Sequence, residues 1–187
     1  MISINGISVG YGNNVLLKDF SLEAREGECI LLSGRNGSGK TTLMKTLAGL
    51  IPPLSGTLPK ATILMVPTRI PKVKGFTVTE FLSLSSQEPA GVEKALELLA
   101  IGDLRDRDIS TLSDGQFQKA CIATALSRKA DLILLDEPTA FLDTENRIQV
   151  LQAIKRAAQK SGSPILFSSH DLHEARMVAD REIKLTC

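Results

Sequence analysis

Residues 29–41, CILLSGRNGSGKT, decide the fold of this chain. An apolar run at 29–34 leads into the pattern G-x-x-x-x-G-K-[ST] at 34–41, in which glycines let the backbone wrap closely around an anion. Short apolar runs that end at glycine are typical of strands buried on both faces, and the spacing of apolar residues in 40–50 predicts a helix. The stretch therefore predicts a buried strand, a phosphate-binding loop and a helix, in that order.

The loop predicts a nucleotide site. Its backbone N–H groups and the N-terminus of the following helix suit phosphate, Lys40 is expected to reach the β- and γ-phosphates, and the Thr41 hydroxyl is expected to hold Mg²⁺. The residues predicted to bind nucleotide here are Gly34, Arg35, Asn36, Gly37, Ser38, Gly39, Lys40, Thr41 and Thr42. Because kinases, GTPases and many ATPases share the pattern, it indicates no more than a P-loop nucleotide binder.

Apolar runs and helical patterns alternate along most of the chain, which predicts an α/β fold, a P-loop NTPase core with a mainly parallel sheet. The two earliest runs, 2–9 and 16–24, predict an antiparallel side sheet. The middle of the chain holds helical patterns alone, at 77–86, at 91–104 and after LSDGQ, and this predicts a small helical subdomain insertion. We expect one domain over 1–187, with a catalytic core at 1–67 and 128–187 and the helical subdomain at 68–127.

Composition limits the classes of function. Lys and Arg number 22 against 21 Asp and Glu, and this balance gives no electrostatic case for nucleic acid as a partner. Three cysteines without a C-x-x-C pair favour a reducing compartment. No apolar stretch approaches the roughly 18 residues of a membrane span, and the N-terminus lacks the pattern of a signal peptide.

A second acidic motif follows the buried-strand pattern at 132–135. Asp136 and Glu137 stand where that strand ends, and the carboxyl ends of parallel strands face the ligand crevice. Asp136 suits a water-mediated partner of Mg²⁺, and Glu137 can orient and deprotonate an attacking water. Taken alone, the pair is equally typical of a solvated strand end, but the phosphate loop favours function.

These motifs together resemble the ATP-binding subunits of ABC transporters. GRNGSGKT (34–41) is similar to the Walker A loop, LILLDEP (132–138) to Walker B with its adjoining glutamate, and LSDGQ (112–116) to the ABC signature. FLD (141–143) resembles the D-loop, and SSHD (168–171) the switch-histidine segment. The resemblance spans nearly the whole chain and rests on motifs in the family's order.

The resemblance implies a site shared between two chains. Two such domains meet head to tail, so Ser113, Gly115 and Gln116 are expected at the γ-phosphate of the partner's ATP, where free N–H groups of a helix N-terminus suit an anion. From the residues alone, S-x-x-Q at 113–116 is also a plain capping box, and that interpretation stays open. Tyr11 is expected to stack on adenine, and Asp143 to face the partner.

The resemblance also implies the chemistry and the partners. ATP and Mg²⁺ are the expected cofactors, with Glu137, His170 and Lys40 as catalytic residues and with Thr41 and Asp136 at the metal. The expected partners are a second copy or a homologous ATPase domain and integral membrane permease subunits, with no nucleic acid. The place of action is then cytoplasmic, peripheral on the inner face of the cell membrane. The residues that flank these motifs are most similar to those in the ATPases of importers of iron–siderophore complexes, haem or cobalamin.

Two residues depart from the family's pattern. Asp114 replaces the usual signature glycine, and we expect its carboxylate to point away from the nucleotide because it would repel phosphate. Thr68 replaces the glutamine that usually touches Mg²⁺ or the attacking water, which puts direct metal contact by residue 68 in doubt. Arg69, Lys72 and Lys74 follow in a segment, 68–80, expected to dock the permease. We expect these bases to be solvated, and contact with a coupling helix of the permease stays open as the alternative.

Other functions stay open at this point. A soluble ABC-type ATPase of iron–sulfur cluster assembly, or of another non-transport role, would carry the same motifs. A nucleotide or small-molecule kinase would explain the phosphate loop but not LSDGQ or SSHD. An ATP-binding regulator with weak hydrolysis would fit the threonine at position 68.

Overall fold

Seven strands and six α-helices make up the part of the chain that the computed structural model describes, residues 1–84 and 89–185. The strands are β1 (Ile2–Tyr11), β2 (Asn14–Ala24), β3 (Cys29–Gly34), β4 (Ile63–Val66), β5 (Leu132–Leu135), β6 (Ile165–Ser168) and β7 (Arg181–Leu185). The helices are α1 (Lys40–Leu47), α2 (Val78–Ser83), α3 (Pro89–Leu98), α4 (Asp114–Leu126), α5 (Thr144–Ser161) and α6 (Leu172–Val178).

Five strands form one parallel sheet in the order β4-β5-β6-β3-β7. The three central strands, β5, β6 and β3, are almost wholly apolar and buried, as expected for strands covered on both faces. Because they are neighbours and run in the same direction, their carboxyl ends meet at one edge of the sheet. That edge receives the phosphate loop, Asp136 and the segment after β6.

The sheet separates two hydrophobic layers. Side chains alternate between faces along a strand, so Leu132 and Leu134 pack with α1 and the two early strands, whereas Ile133 and Leu135 pack with the helices on the opposite side. Helices α2, α3 and α4 belong to that second layer and share its core. Packing on both faces holds each strand in place, and this positions the groups at its carboxyl end.

The early strands form the predicted antiparallel side sheet. β1 pairs with β2 through a tight turn in which Tyr11 lies opposite Asn14, and Gly12 at the turn has a φ of 54°. Leu16 and Leu17 of β2 lie 3.5 Å and 3.7 Å from the position of a Cβ built on Gly39. The side sheet therefore packs directly against the phosphate loop.

The helical region differs in extent from the sequence prediction. The helix expected over 91–104 ends at Leu98, and a 3-10 turn at Gly102–Leu104 follows. Ala100 adopts a φ of 51°, while its N–H and that of Ile101 bond the carbonyls of Glu97 and Leu96, the pattern that closes a helix through a left-handed residue. The helix expected over 77–86 ends at Ser83, and the last two of its residues lie outside the described ranges.

No helix in the described ranges combines the length and apolarity needed to cross a bilayer.

Candidate functional site

The phosphate loop connects β3 to α1 and requires its glycines. Gly37 and Gly39 have φ angles of 80° and 90°, which side chains rarely adopt. A Cβ on Gly34 would lie 2.6 Å from the Ser38 hydroxyl and 3.0 Å from the Leu185 carbonyl oxygen. A larger residue would therefore clash at position 34 and strain the backbone at positions 37 and 39.

Lys40 and Ser38 give the loop its polar interior. The Lys40 Nζ donates to the carbonyl oxygens of Gly34 at 2.8 Å and Arg35 at 3.2 Å. The ammonium therefore lies inside the loop, and only 8% of the residue is exposed. The Ser38 hydroxyl is buried without a hydrogen-bond partner among the described residues. Buried polar groups normally have hydrogen-bond partners. Phosphate oxygens would accept hydrogen bonds from both this hydroxyl and the ammonium. The loop thus fits a bound polyphosphate.

Asp136 is held at the centre of the strand ends by two hydroxyls. Its Oδ2 accepts from Thr41 Oγ1 at 2.8 Å, and its Oδ1 accepts from Ser168 Oγ at 2.8 Å. Only 2% of Asp136 is exposed. The Thr41 hydroxyl and the Asp136 carboxylate are oxygen donors of the kind that Mg²⁺ takes, so this pair fits the predicted metal position.

Glu137 has a constrained backbone and a perturbed carboxyl. Its φ is 52°, and its N–H donates to Ser168 Oγ at 2.9 Å. The side chain is 12% exposed, and this burial raises the pKa of the Glu137 carboxyl, a rise that the nearby His170 opposes. A carboxylate with a raised pKa is a stronger base, which suits proton abstraction near neutral pH.

His170 lies beside Glu137. Its backbone N–H donates to Glu137 Oε2 at 3.2 Å, and its Nε2 lies 3.3 Å from Oε1, although Oε1 accepts no well-oriented hydrogen bond in the described chain. His170 follows β6 by two residues, and its side chain is 58% exposed. The imidazole is therefore open to a ligand on one side and faces the carboxylate on the other.

The signature segment starts α4 away from this cluster. Ser113 Oγ accepts from the Gln116 N–H at 3.2 Å, and Gln116 Oε1 accepts from the Ser113 N–H at 3.0 Å, which is the predicted capping box. A Cβ on Gly115 would lie 2.9 Å from both Leu142 Cδ2 and the Phe141 carbonyl oxygen. The glycine is therefore needed for packing within the chain, a reason that the sequence did not reveal.

Signature and D-loop residues face one common cavity of about 300 Å³. Asp143 caps α5 by accepting from the Asn146 N–H at 2.9 Å and its side-chain amide at 2.8 Å, and these bonds hold the pKa of the Asp143 carboxyl below its ordinary value. The cavity is lined by Ala100, Ile101, Asp103, Leu104, Ser113, Gly115, Gln116, Lys119, Phe141, Leu142, Asp143 and Asn146. No residue of the phosphate loop belongs to this lining within the described ranges. The structure thus brings Ser113, Gly115, Gln116 and Asp143 together but separates them from Lys40 and Glu137.

The remaining predicted residues lie at the rims. Tyr11 is 52% exposed at the hairpin turn of the side sheet that packs on the phosphate loop. Thr68 lines a second cavity, of about 310 Å³, with Lys72, Asp114 and Gln118. The expectation of a solvated Lys72 is wrong, since its ammonium is 2.7 Å from Asp114 Oδ1 and 2.8 Å from the Leu112 carbonyl oxygen.

Sequence reasoning missed two residues of the site. Ser168 is fully buried and joins Asp136 to the Glu137 backbone. It lies in the segment SSHD (168–171), but the sequence predicted no role for it. The available signal was a hydroxyl at the carboxyl end of an apolar strand. Lys72 gave no such signal, because its partner is 42 residues away.

Comparison with known proteins identifies the family. The sequence pattern described as ABC transporter matches residues 17–140, and these include the phosphate loop, the signature and Asp136. The zinc import ATP-binding protein ZnuC of Cereibacter sphaeroides is 36% identical, over 99% of this chain and 79% of that protein. The chain belongs to the ABC transporter family. As an ATP-binding domain of this family, it binds ATP with Mg²⁺ and is an ATPase.

Solved structures agree with the family and confirm the predicted α/β P-loop NTPase fold. RNase-L Inhibitor has a TM-score of 0.87 and 34% identity over 98% of this chain, which corresponds to 36% of that longer chain. An inward-facing transporter described as of the metal-chelate type has a TM-score of 0.81 and 26% identity, covering 97% of this ABC domain and 80% of that chain.

Proposed function

We propose that this ABC domain is the ATP-hydrolysing subunit of an importer, which drives transport through integral membrane permease subunits. Two copies, or one copy and a homologous domain, close head to tail over two ATP molecules, and hydrolysis lets them part. Binding to permease subunits places the domain on the inner face of the cell membrane. The nucleotide-binding roles of residues 34–42, Tyr11, the signature residues and Asp143 are part of this proposal.

One observation carries the proposal. The groups for chemistry, Lys40, Asp136, Glu137 and His170, cluster where the central strands end, whereas Ser113, Gly115 and Gln116 line a separate cavity with the D-loop. A helix start with an exposed Ser113 suits a phosphate, because the first turn of a helix presents its N–H groups and the positive end of its dipole. The phosphate loop of its own chain does not share its cavity. A second chain, turned around, would bring the two halves together.

Within each half, the residues divide the work. Lys40 supplies positive charge to the phosphates from inside the loop. Glu137 accepts the proton of the attacking water, and His170 orients that water from the exposed side of the carboxylate. Thr41 and Asp136 would hold Mg²⁺, which when bound neutralises phosphate charge.

The proposed cargo is a metal ion, with zinc favoured. The curated relatives from Cereibacter sphaeroides, Jannaschia, Roseobacter denitrificans and Yersinia pestis are all named as zinc import ATP-binding proteins. These names do not support the iron–siderophore, haem or cobalamin cargo that the residues flanking the motifs suggested. The metal-chelate transporter is consistent with a chelated metal. No residue of the nucleotide site needs to touch the cargo.

A surface near the segment expected to dock the permease supports coupling. A shallow cavity of about 380 Å³ is lined by Gly75, Phe76, Thr79, Glu80, Ser83 and Leu84, and Leu84 is 69% exposed. An apolar side chain presented beside a groove fits a helix from a membrane subunit.

The shared site is tested by trapping it. Glu137→Gln keeps size and removes the base, so it should still bind ATP, hydrolyse it about 10²–10⁴-fold more slowly and accumulate as a dimer with ATP and Mg²⁺. Light scattering and phosphate release measure the two effects. Glu97→Gln, on an exposed part of α3, is the matched control and should behave as wild type. A slow variant that stays monomeric at saturating ATP would contradict the head-to-tail arrangement.

The transport role is tested in membranes. A tagged full chain, expressed at native level, should co-purify from solubilised membranes with integral permease subunits, and its deletion should abolish high-affinity zinc uptake. Recovery only from the soluble fraction, with ribosomal or assembly factors, would favour a non-transport ATPase. RNase-L Inhibitor, which shares this fold, is not named as a transporter, so the two outcomes separate the transport role from the alternative.

A further inference from the structure

The two departures from the family's pattern lie next to each other in the structure. Thr68 is the second residue after β4, and Asp114 is the first residue of α4 in the signature. Both line the 310 Å³ cavity, together with Lys72. The carboxylate that replaces the signature glycine therefore faces the segment that lacks the usual glutamine.

Lys72 is fixed in this position by three contacts. Its ammonium donates to Asp114 Oδ1 at 2.7 Å and to the Leu112 carbonyl oxygen at 2.8 Å, and it lies 5.9 Å from the centre of the Phe117 ring. The Lys72 side chain is 25% exposed, whereas that of Asp114 is 71% exposed. A lysine held by a carbonyl and an aromatic ring is a local fixture rather than a solvated base.

We propose that Lys72 is a positioning residue for ATP hydrolysis, which neutralises Asp114 and turns its carboxylate away so that the signature can accept the partner's γ-phosphate. This inference rests on the proposed head-to-tail dimer. The Lys72 ammonium, bonded to Asp114 Oδ1, keeps uncompensated negative charge from the anion-binding start of α4.

The electrostatic logic follows from Asp114 being ionised. The Lys72 hydrogen bond, with a smaller contribution from Arg69, holds the pKa of the Asp114 carboxyl below its ordinary range, so the group carries its charge at neutral pH. An uncompensated carboxylate beside a bound triphosphate repels it, while an ion pair has little net charge at that distance. The Asp114 end of the pair is exposed, and such a pair adds little to folding stability, so its effect should appear in ATP-dependent association.

The experiment measures the ATP concentration that gives half-maximal dimer, by sedimentation velocity, in the full chain carrying Glu137→Gln. Adding Lys72→Met should raise that concentration about three- to tenfold. Lys72→Arg should keep it within about twofold, and so should Lys94→Met, which removes an exposed lysine of α3. Adding Asp114→Asn to Lys72→Met should restore the parent value, because the charge that needs compensation is gone.

Two further readouts separate charge from packing. A fluorescent ATP analogue should bind the monomers of all variants equally, since the phosphate loop is untouched. The deficit of Lys72→Met should shrink as salt rises from about 50 mM to about 500 mM, because exposed charges are screened. Asp114→Asn alone keeps the lysine in place, and it should associate at least as well as the parent.

The outcomes distinguish this inference from the proposed function. A parent that never dimerises with ATP overturns the head-to-tail arrangement and this inference with it. A parent that dimerises while Lys72→Met matches it overturns the role of Lys72 alone. A double variant as weak as Lys72→Met, or an Asp114→Asn variant weaker than the parent, also overturns it.

Discussion

Replacing Ser168 by alanine should damage both the stability and the chemistry of this domain. Ser168 is fully buried, and its hydroxyl donates to Asp136 Oδ1 at 2.8 Å while accepting from the Glu137 N–H at 2.9 Å. Alanine removes both bonds without adding bulk. The substitution leaves Asp136 Oδ1 and the Glu137 N–H without the hydrogen bonds that the Ser168 hydroxyl makes to them.

The magnitude follows from these two bonds. A neutral hydrogen bond contributes about 1 kcal/mol, and one to a charged group about 1.5–3 kcal/mol, so Ser168→Ala should cost roughly 2.5–4 kcal/mol. For a chain of 187 residues, this lowers the melting temperature by roughly 5–15 °C. The turn that holds Glu137 at a φ of 52° also loses an anchor. A displacement of the base by about 1 Å can cost about 10²-fold in rate.

The assay pairs thermal unfolding with steady-state ATP hydrolysis. Ser83→Ala is the control, because its hydroxyl bonds a helix carbonyl on an exposed face and its loss should change the free energy of unfolding by no more than about 0.5 kcal/mol. If Ser168→Ala has the same melting temperature as the control and hydrolyses ATP at the wild-type rate, the Ser168 bonds to Asp136 and Glu137 contribute nothing to stability or catalysis, and the reasoning is refuted.

Two further predictions concern Glu137 and the signature turn. Because burial raises the pKa of Glu137 above 4.5, this carboxyl favours folding most below pH 4.5, and that contribution is lost as pH rises through the raised pKa. The uncharged Glu137→Gln should therefore gain stability relative to wild type as pH rises from 4.5 through the raised pKa of Glu137 in thermal unfolding, and a constant difference would contradict the raised pKa. Gly115→Ala should cost about 1–3 kcal/mol, since its Cβ would lie 2.9 Å from two D-loop atoms. The matched Gly102→Ala, whose Cβ meets no atom within 4 Å, should be close to neutral in chemical denaturation.

The sheet and its loop were predictable because local patterns determine them. The run CILLSG is buried on both faces, as its composition demands, and the glycine at 39 takes the left-handed conformation that the loop pattern requires. The capping box at 113–116 was also predictable, since both partners lie within one helical turn. Such features depend on residues only a few positions apart.

Contacts between distant segments were not predictable from one sequence. The Lys72–Asp114 pair joins residues 42 positions apart, and no local pattern links them. Thr41 and Asp136 are 95 positions apart; their proximity was expected from a shared Mg²⁺, but their direct hydrogen bond was not. The break of the predicted helix at 99–101 depends on a left-handed Ala100. Alanine does not signal this conformation, and the nearby Gly102 lies in the 3-10 turn that follows. Tertiary packing of Leu99 and Ile101, both nearly fully buried, overrides the helical pattern there.

The distribution of satisfied and exposed groups gives the domain its logic. Asp136, the Glu137 backbone and the His170 backbone are all bonded within one chain, so the apparatus for proton transfer is organised before any partner arrives. Ser113, at the start of α4, is exposed, and within residues 1–84 and 89–185 its hydroxyl bonds only the Gln116 N–H. On the proposed head-to-tail arrangement, the base is organised within one chain while the second phosphate-binding wall lies on another surface, so turnover would require two such domains to meet. That division would make nucleotide-driven association, rather than the chemistry itself, the step that a membrane partner can sense.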